Sequence, residues 1–141
     1  MAAQFTFEVY TPYRLFYSGM IEMVILTLSD GDAAICANHS HLTAPVTPCV
    51  LKIKDSNGIW KFAFIAEGIL EVSSHKTVLI SDTAEWPEEI DYERAMAARE
   101  KAEKTLATAT LKFETETAAA SLKRAAMRIR ARDEGLKKNR E

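Results

Sequence analysis

The chain has 141 residues and a formal net charge of −2, with 48% hydrophobic and 27% charged residues. These values are ordinary for a soluble globular protein and exclude wholesale disorder or low complexity. The longest apolar runs, residues 33–37 and 62–66, have five residues each. Because a membrane-spanning helix needs about 20 apolar residues, we expect no membrane insertion. The first residues also lack the basic and apolar pattern of a secretory signal.

The chain changes character near residue 87. Residues 1–87 hold nine acidic and five basic residues and all four prolines, whereas residues 88–141 hold eleven acidic and thirteen basic residues. Between residues 88 and 134 there is no glycine and no proline, and good helix formers dominate. We therefore expect two units, residues 1–86 and residues 87–141.

The first unit alternates apolar and polar residues, as half-buried strands do. Strands are expected at residues 5–9, 21–28, 50–54, 59–66, 69–72 and 77–80. Asn57-Gly58 predicts a hairpin turn between two of them, and residues 73–76 predict a second. Many short strands at close spacing predict two packed sheets. The expected fold class is β plus α, an N-terminal two-sheet β-sandwich followed by a C-terminal antiparallel α-helical hairpin.

The second unit reads as helical from its first residues. Pro87 suits the first position of a helix, and Glu88, Glu89 and Asp91 would then place negative charge in the first turn, where the helix dipole favours it. Five threonines between residues 105 and 117 interrupt the apolar periodicity, so we place the turn of the hairpin near residues 107–110. One continuous helix through this stretch is the alternative.

The residues themselves offer little catalytic chemistry. Cys36 and Cys49 form no CxxC or Cys/His cluster, so we expect two reduced thiols and no metal site. The sequence contains no glycine-rich phosphate loop and no GxSxG nucleophile motif. We therefore expect no catalytic residues and a protein that is not itself an enzyme.

The segment 122–132 carries five basic residues and no acid. Arg124, Arg128 and Arg132 follow i, i+4, i+8 spacing and share one helical face. A solvated basic face and a nucleic-acid site both fit these residues. Because the net charge is negative and no nucleic-acid-binding module is present, we expect no nucleic-acid partner.

Five stretches, in this order and spacing, carry a resemblance to a known family. They are Phe16-Tyr17-Ser18-Gly19; Asp30-Gly31-Asp32; Glu67-Gly68-Ile69-Leu70-Glu71-Val72; Val78-Leu79-Ile80-Ser81-Asp82-Thr83-Ala84-Glu85; and Ile90-Asp91-Tyr92-Glu93-Arg94-Ala95. Together with the change from strands to helices, they make the chain resemble the epsilon subunit of F-type ATP synthases over nearly its whole length.

The resemblance implies a non-catalytic rotor subunit of the central stalk, bound peripherally at the cytoplasmic face of the cell membrane. The sandwich would couple the gamma subunit to the membrane rotor ring, with Glu22, Asp32 and His39 as ring-contact residues. The hairpin would inhibit ATP hydrolysis when its basic second helix extends onto acidic surfaces of the catalytic head. The coupling ion, proton or sodium, is left open.

The resemblance also implies that the folded hairpin binds ATP as a regulatory ligand, with no cofactor required. The implied ATP-binding residues are Glu85, Asp91, Arg94, Arg124 and Arg128. Lys101 stands where ATP-binding members often have another arginine, and a lysine cannot make a bidentate phosphate contact, so we expect weak affinity. The structural alternative is that Asp91 and Arg94 merely form an i, i+3 pair in the first helical turn.

Three functions from other classes fit parts of the same sequence. A stand-alone β-sandwich binding module with a helical interaction tail would have a concave apolar pocket in its sheets. A nucleic-acid binder would show steep salt dependence. An enzyme of unknown type would need a buried acid–base pair with shifted pKa values.

Overall fold

The computed structural model describes residues 2–139. Within them lie the strands β1 (Phe5–Tyr10), β2 (Leu15–Leu28), β3 (Gly31–Cys36), β4 (Leu42–Val46), β5 (Cys49–Asp55), β6 (Trp60–Ile65), β7 (Gly68–Val72), β8 (Thr77–Ser81) and β9 (Ala84–Glu85). A 3₁₀ turn (Pro87–Glu89) leads to the helices α1 (Tyr92–Thr108) and α2 (Lys112–Asn139). Strands followed by two helices confirm the expected fold class, and the outer limits of the two expected units, residues 1 and 141, lie outside the described residues.

The long strand β2 joins the two layers of the sandwich. Its first half pairs antiparallel with β1, and its second half pairs with β3 and β5. One layer runs β1-β8-β7-β4, with β1 and β8 parallel, and the other continues from β5 to β6 and β9. The fully buried side chains between the layers include Phe7, Val9, Ile21, Leu51 and Leu79, so the sandwich has a core of its own.

Both predicted hairpins are confirmed. Residues 55–59 turn between β5 and β6, where Asp55 Oδ1 accepts hydrogen bonds from the amides of Asn57 (2.9 Å) and Ile59 (3.0 Å). Gly58 has φ +78°, a conformation that L side chains rarely adopt. The second hairpin joins β7 to β8 with the register Val72↔Thr77.

Three strands were missed from the sequence: β3, β4 and the two-residue strand β9. No strand was expected between residues 28 and 50, yet both β3 and β4 lie there. Alanines at positions 33 and 34 have low strand propensity, and Pro45 argues against a strand in a sequence reading. The sheet overrides both local signals through pairing: β3 completes a hairpin with β2, and β4 pairs with β7 along its whole length.

The start of the helical part was placed too early. Pro87 opens a 3₁₀ turn, and the buried Ile90 that follows is extended (φ −77°, ψ 123°). Helix α1 begins at Tyr92, with Asp91 as its N-cap. Glu88 and Glu89 therefore precede α1, because Ile90 must leave the helical path to reach the apolar layer beneath α2.

The hairpin turn lies at residues 109–111, as predicted, and the alternative of one continuous helix is wrong. Thr105 and Thr108 direct their hydroxyls back to carbonyls one turn earlier, which weakens the helix end. Alanines pack on the buried sides of both helices, where Ala95 and Ala102 of α1 and Ala125 of α2 are buried.

A second apolar cluster joins α2 to the sandwich. It contains Val50 on β5, Phe64 on β6, and Ala66, Ile90 and Ala131. Ala131 has no exposed surface, so the helix backbone lies close to the sheet at this point. This contact fixes the C-terminal half of α2 and places its arginines beside β9 and the β6–β7 turn.

Candidate functional site

A cavity of about 390 Å³ lies where β9, the start of α1 and the middle of α2 meet. Its lining residues are Glu85, Glu89, Asp91, Arg94, Ala95, Ala98 and Arg128. Four of the five residues named for nucleotide binding therefore lie around one cavity, although they come from three separate elements. Glu89 was not predicted to line this cavity. It does so because Pro87 opens a 3₁₀ turn, and not the first turn of α1.

The register of β6 and β9 fixes the wall of this cavity. Phe64 lies opposite Glu85 in the sheet, so a side chain from α2 can meet both. Arg128 does so: its Nε donates to Glu85 Oε1 at 2.7 Å, and its guanidinium carbon lies 4.6 Å from the centroid of the Phe64 ring. A pair this accessible contributes about 0–1 kcal/mol, and the ring contact adds about 0.5–1 kcal/mol.

Arg124 does not line the cavity. One turn before Arg128 on α2, it reaches the β6–β7 turn, where its Nε donates to Glu67 Oε1 at 2.9 Å and to Oε2 at 3.2 Å. Arg124 and Arg128 share one helical face, as predicted, but they contact two different acidic residues of the sandwich. No sequence pattern pairs Glu67 with Arg124, because they are far apart in the chain.

The first turn of α1 leaves one cation without a partner. Asp91 Oδ1 accepts from the backbone amide of Arg94 at 3.0 Å, so the predicted i, i+3 contact exists but involves the main chain. Among residues 2–139 the Arg94 guanidinium has no hydrogen bond or ion pair, and the side chain is exposed at the cavity mouth. It is free to meet an anionic ligand.

Glu89 is committed to a different arginine. Arg14 Nη2 lies 2.9 Å from Glu89 Oε1 and 2.8 Å from Oε2, and the amide of Trp86 donates to Oε1 at 3.1 Å. Burial raises the pKa of Glu89, but the hydrogen bonds from Arg14 and Trp86 together lower it below its ordinary value. This carboxylate therefore stays ionised and holds the 3₁₀ turn on the loop after β1.

The predicted ring-contact residues do not lie at one end of the sandwich. Asp32 lies near the β2–β3 turn and accepts from Thr27 Oγ1 at 2.5 Å, whereas His39 follows the far end of β3 and its Nδ1 lies 2.7 Å from Ser40 O. At about 3.3 Å per residue, the strand separates them by more than about 13 Å. Glu22, beside the Met23↔Cys36 pair, lies toward the His39 end and contacts Lys54 at 3.4 Å.

An apolar row crosses the outer face of the layer β1-β8-β7-β4. The register places Tyr10 beside Ile80, Ile80 beside Ile69, and Ile69 beside Pro45. Ile80 and Ile69 are 57% and 54% exposed. None of these residues was predicted from the sequence, because cross-strand pairing between β1, β8, β7 and β4 brings them together.

Other features predicted from the sequence have the following positions. Cys36 is exposed, Cys49 is buried, and neither is in a disulfide; burial raises the pKa of the Cys49 thiol. In the described part of the chain no three His, Cys, Asp or Glu residues come together as a metal-binding group. No described helix has the length and hydropathy required to cross a bilayer.

Two family models match the sequence. The beta-sandwich domain of the ATP synthase delta/epsilon chain matches residues 4–87, and the long alpha-helix domain of that chain matches residues 88–132. The ATP synthase epsilon chain of Caldicellulosiruptor saccharolyticus is 43% identical over 132 residues, which cover 94% of this chain and 96% of that one. The epsilon chain of Caldanaerobacter subterraneus subsp. tengcongensis is 45% identical over 131 residues, covering 92% and 94%.

Two solved structures share the fold. A chain in the cryo-EM structure of the Euglena gracilis mitochondrial ATP synthase OSCP/F1/c-ring matches with a TM-score of 0.78 at 16% identity, covering 89% of this chain and 79% of that one. A chain of the Tetrahymena thermophila mitochondrial ATP synthase central stalk and c-ring matches with a TM-score of 0.62 at 12% identity, covering 93% and 98%. At these identities the likeness is one of fold.

Proposed function

This chain belongs to the delta/epsilon family of ATP synthase chains, and from that membership we propose that it couples the membrane rotor ring to the gamma subunit and regulates hydrolysis through its helices. It is an epsilon subunit of the central stalk and has no catalytic role of its own. The match of both the sandwich and the helical part to one family is the observation that carries the proposal. We expect the protein to lie peripherally at the cytoplasmic face of the membrane.

The apolar row on the outer face is the proposed docking surface for gamma. It crosses β1, β8 and β7 and reaches β4, and it includes two isoleucines that are more than half exposed. Burying such side chains favours a complex, and the part that exceeds the cost of association appears as affinity. The opposite layer is partly covered by α2, so the outer layer is the face that remains open for a stalk partner.

A matched pair of substitutions tests this surface. Ile80→Glu places a charge in the row, and Ile59→Glu places the same charge on the β5–β6 turn, at 58% exposure against 57%. We expect Ile80→Glu to lower co-purification of the chain with gamma by about tenfold or more, while Ile59→Glu has little effect. Equal recovery of gamma by both variants would contradict the docking surface.

The ring contact is proposed at the sandwich ends, with Glu22 and His39 on one side and Asp32 on the other. Each exposed polar contact contributes about 0–1 kcal/mol, so coupling would depend on several contacts together. In membrane vesicles, we expect Asp32→Ala combined with His39→Ala to reduce proton pumping more than it reduces assembly of the head. Unchanged pumping would remove these two residues from the contact.

The hairpin is proposed to act as a brake. In the docked state, Arg124 and Arg128 are paired with Glu67 and Glu85. When α2 leaves the sandwich, both guanidiniums lose these carboxylates and become available to acidic surfaces of the catalytic head. Because the two pairs are accessible to solvent, they contribute little to the free energy of docking, and a ligand or partner that binds one state better shifts the balance between the two states.

ATP is the proposed ligand of the docked state, at the cavity between β9, α1 and α2. Arg94 is available for a phosphate, Asp91 and Glu85 can accept from an adenine amino group, and Arg128 can turn toward phosphate only by leaving Glu85. The lining has three carboxylates and two guanidiniums, which opposes a polyanion. We therefore expect weak affinity, and Arg124 would join only after leaving Glu67.

The nucleotide site is tested with Arg94→Ala against Arg130→Ala. Both remove one helical arginine, but Arg130 pairs with Glu134 on α2 and does not line the cavity. We expect Arg94→Ala to weaken ATP binding by about tenfold, measured by equilibrium dialysis and by protease protection of the hairpin, while Arg130→Ala changes it by less than about twofold. Equal losses would point to general charge attraction and reject the site.

A further inference from the structure

One glycine sits in the helical part of the described chain, and it lies against the sandwich. Gly135 is in the last turns of α2 and is buried. A Cβ added at this position would lie 2.3 Å from Pro87 Cγ and 2.9 Å from Pro87 Cβ. Real Cβ atoms essentially never come within 3.0 Å of a heavy atom that belongs to a distant part of the chain, so only glycine allows α2 to pass this close to the proline ring.

Glycine is a costly residue for this place. In a helix interior it is less favourable than any residue except proline, and every other residue of α2 carries a side chain. The close approach to Pro87, and not helix propensity, therefore explains why residue 135 is glycine. The helix-domain family model ends at residue 132, so Gly135 lies beyond the segment that this model covers.

Pro87 is a rigid partner. It opens the 3₁₀ turn and is buried, and its carbonyl accepts from the Ile90 amide at 3.3 Å. The same turn is held by the contacts of Glu89 with Arg14 and with the Trp86 amide. If a methyl group were added at residue 135, α2 would have to move, since the turn is fastened at both ends.

We call the contact between Gly135 and Pro87 the seat of α2, and we propose that it holds α2 on the sandwich and sets the balance between the docked and released helix. Ala131 and Arg128 lie one and two turns before Gly135 on the same side of α2. Restoring an ordinary separation of about 3.5 Å moves this end of the helix by more than about 1 Å, which lifts Ala131 from its buried position and lengthens the Arg128–Glu85 contact. The inference rests on the proposed docked and released states.

The protein carries its own reporters beside this contact. Trp60 and Trp86, the two tryptophans of the sequence, line a cavity of about 280 Å³ together with Pro87 and Gly135. Movement of α2 at Gly135 changes the solvent exposure of both indoles. Tryptophan emission therefore follows the seat directly, without a label.

The test is a double-mutant cycle in the full chain, followed by amide hydrogen exchange and tryptophan emission. We expect Gly135→Ala to speed exchange of residues 122–138 by about tenfold or more and to shift tryptophan emission to longer wavelength, while β5 and β7 stay protected. Pro87→Gly removes the two atoms that the new methyl group would meet. The combination Gly135→Ala with Pro87→Gly should return exchange to within about threefold of the Pro87→Gly variant alone.

Ala119→Gly is the control for helix propensity, because Ala119 lies on an exposed face of α2. It weakens the helix without touching the sandwich, and we expect a smaller effect at residues 122–138. Wild-type exchange in Gly135→Ala, or a Gly135→Ala effect that is as large in the Pro87→Gly background as in the wild type, would overturn the proposal. If Gly135→Ala also loosens the sandwich, recovery in the double variant still decides for or against the contact.

The assay needs no ATP synthase, so it separates this inference from the proposed brake. A Gly135→Ala chain with a loosened α2 that leaves hydrolysis by the assembled complex unchanged would count against the brake and leave the seat intact. A chain whose α2 stays docked would count against the seat alone.

Discussion

Arginine–carboxylate pairs fasten the helical part to the sandwich at three points: Arg14–Glu89, Arg124–Glu67 and Arg128–Glu85. Their side chains are between 25% and 45% exposed, so each contributes about 0–1 kcal/mol. No single pair holds the helices in place. Their value lies in orientation, since a guanidinium approaches a carboxylate in a defined plane.

The pair at Glu89 predicts a dependence of stability on pH. The folded-state pKa of Glu89 lies below its ordinary value, so its contribution is present above the unfolded pKa of about 4.3 and is lost as the pH falls through the folded pKa. Arg14→Ala should raise the pKa of Glu89 and lower the free energy of unfolding at pH 7 by at most about 1 kcal/mol.

The measurement is an NMR titration of the Glu89 carboxyl, together with urea unfolding at several pH values. The difference in stability between wild type and Arg14→Ala should vanish near the acid end of the titration. Arg99→Ala is the control, because Arg99 contacts Glu103 within α1 at 4.0 Å. A Glu89 carboxyl that titrates identically with and without Arg14 would contradict this assignment.

Strands and helices depend on glycine wherever two backbones come close. Gly68 begins β7 opposite Ser81, and a Cβ there would lie 2.1 Å from Ile80 O and 2.9 Å from Ser81 Cα. These are backbone atoms of a neighbouring strand and cannot swing aside. At Gly19 in β2, the nearest atom is Tyr17 Oη at 3.3 Å, the end of a side chain that can move.

The two glycines therefore predict different costs for the same substitution. Gly68→Ala should lower the free energy of unfolding by about 3 kcal/mol, since β7 and β8 must separate, whereas Gly19→Ala should cost less than about 1 kcal/mol. Urea unfolding followed by circular dichroism compares them. Similar midpoints for both variants would show that the β7–β8 pair yields more easily than its backbone contacts imply.

As a whole, the molecule has two apolar clusters with different dependence on the helices. The larger lies between the layers of the sandwich, and the smaller joins β5 and β6 to α2. Only the second needs the helical part. The sandwich can therefore remain folded when α2 leaves, which a movable helix requires.

Truncation after Glu89 tests this separation. We expect the shortened chain to keep its strand signal in circular dichroism, to unfold at lower urea concentration, and to bind the dye ANS because Val50 and Phe64 lose their cover. The full chain, which buries both side chains, is the control for dye binding. Loss of the strand signal would mean that the two parts fold only together.

Local patterns predicted most of the strands, both helices and the order of the two units. Alternation in strands, Asn57-Gly58 at a hairpin and the threonine-rich break between helices act over a few neighbouring residues, so they can be read locally. The same reading missed β3 and β4, because pairing with β2 and β7 outweighs the weak propensities of alanine and proline. The sequence pattern also placed the helix start at Pro87. The helix begins later, because Ile90 is extended and packs into the apolar layer beneath α2.

Contacts between residues far apart in the chain depend on tertiary packing and were not predicted. Arg124 pairs with Glu67 outside the cavity that holds Arg94 and Arg128, and a strand separates Asp32 from His39. Gly135 lies against the Pro87 ring, which comes from the end of the sandwich. These contacts join residues far apart in the chain, and strand register and helix packing set them at ångström scale, where a local pattern carries no information.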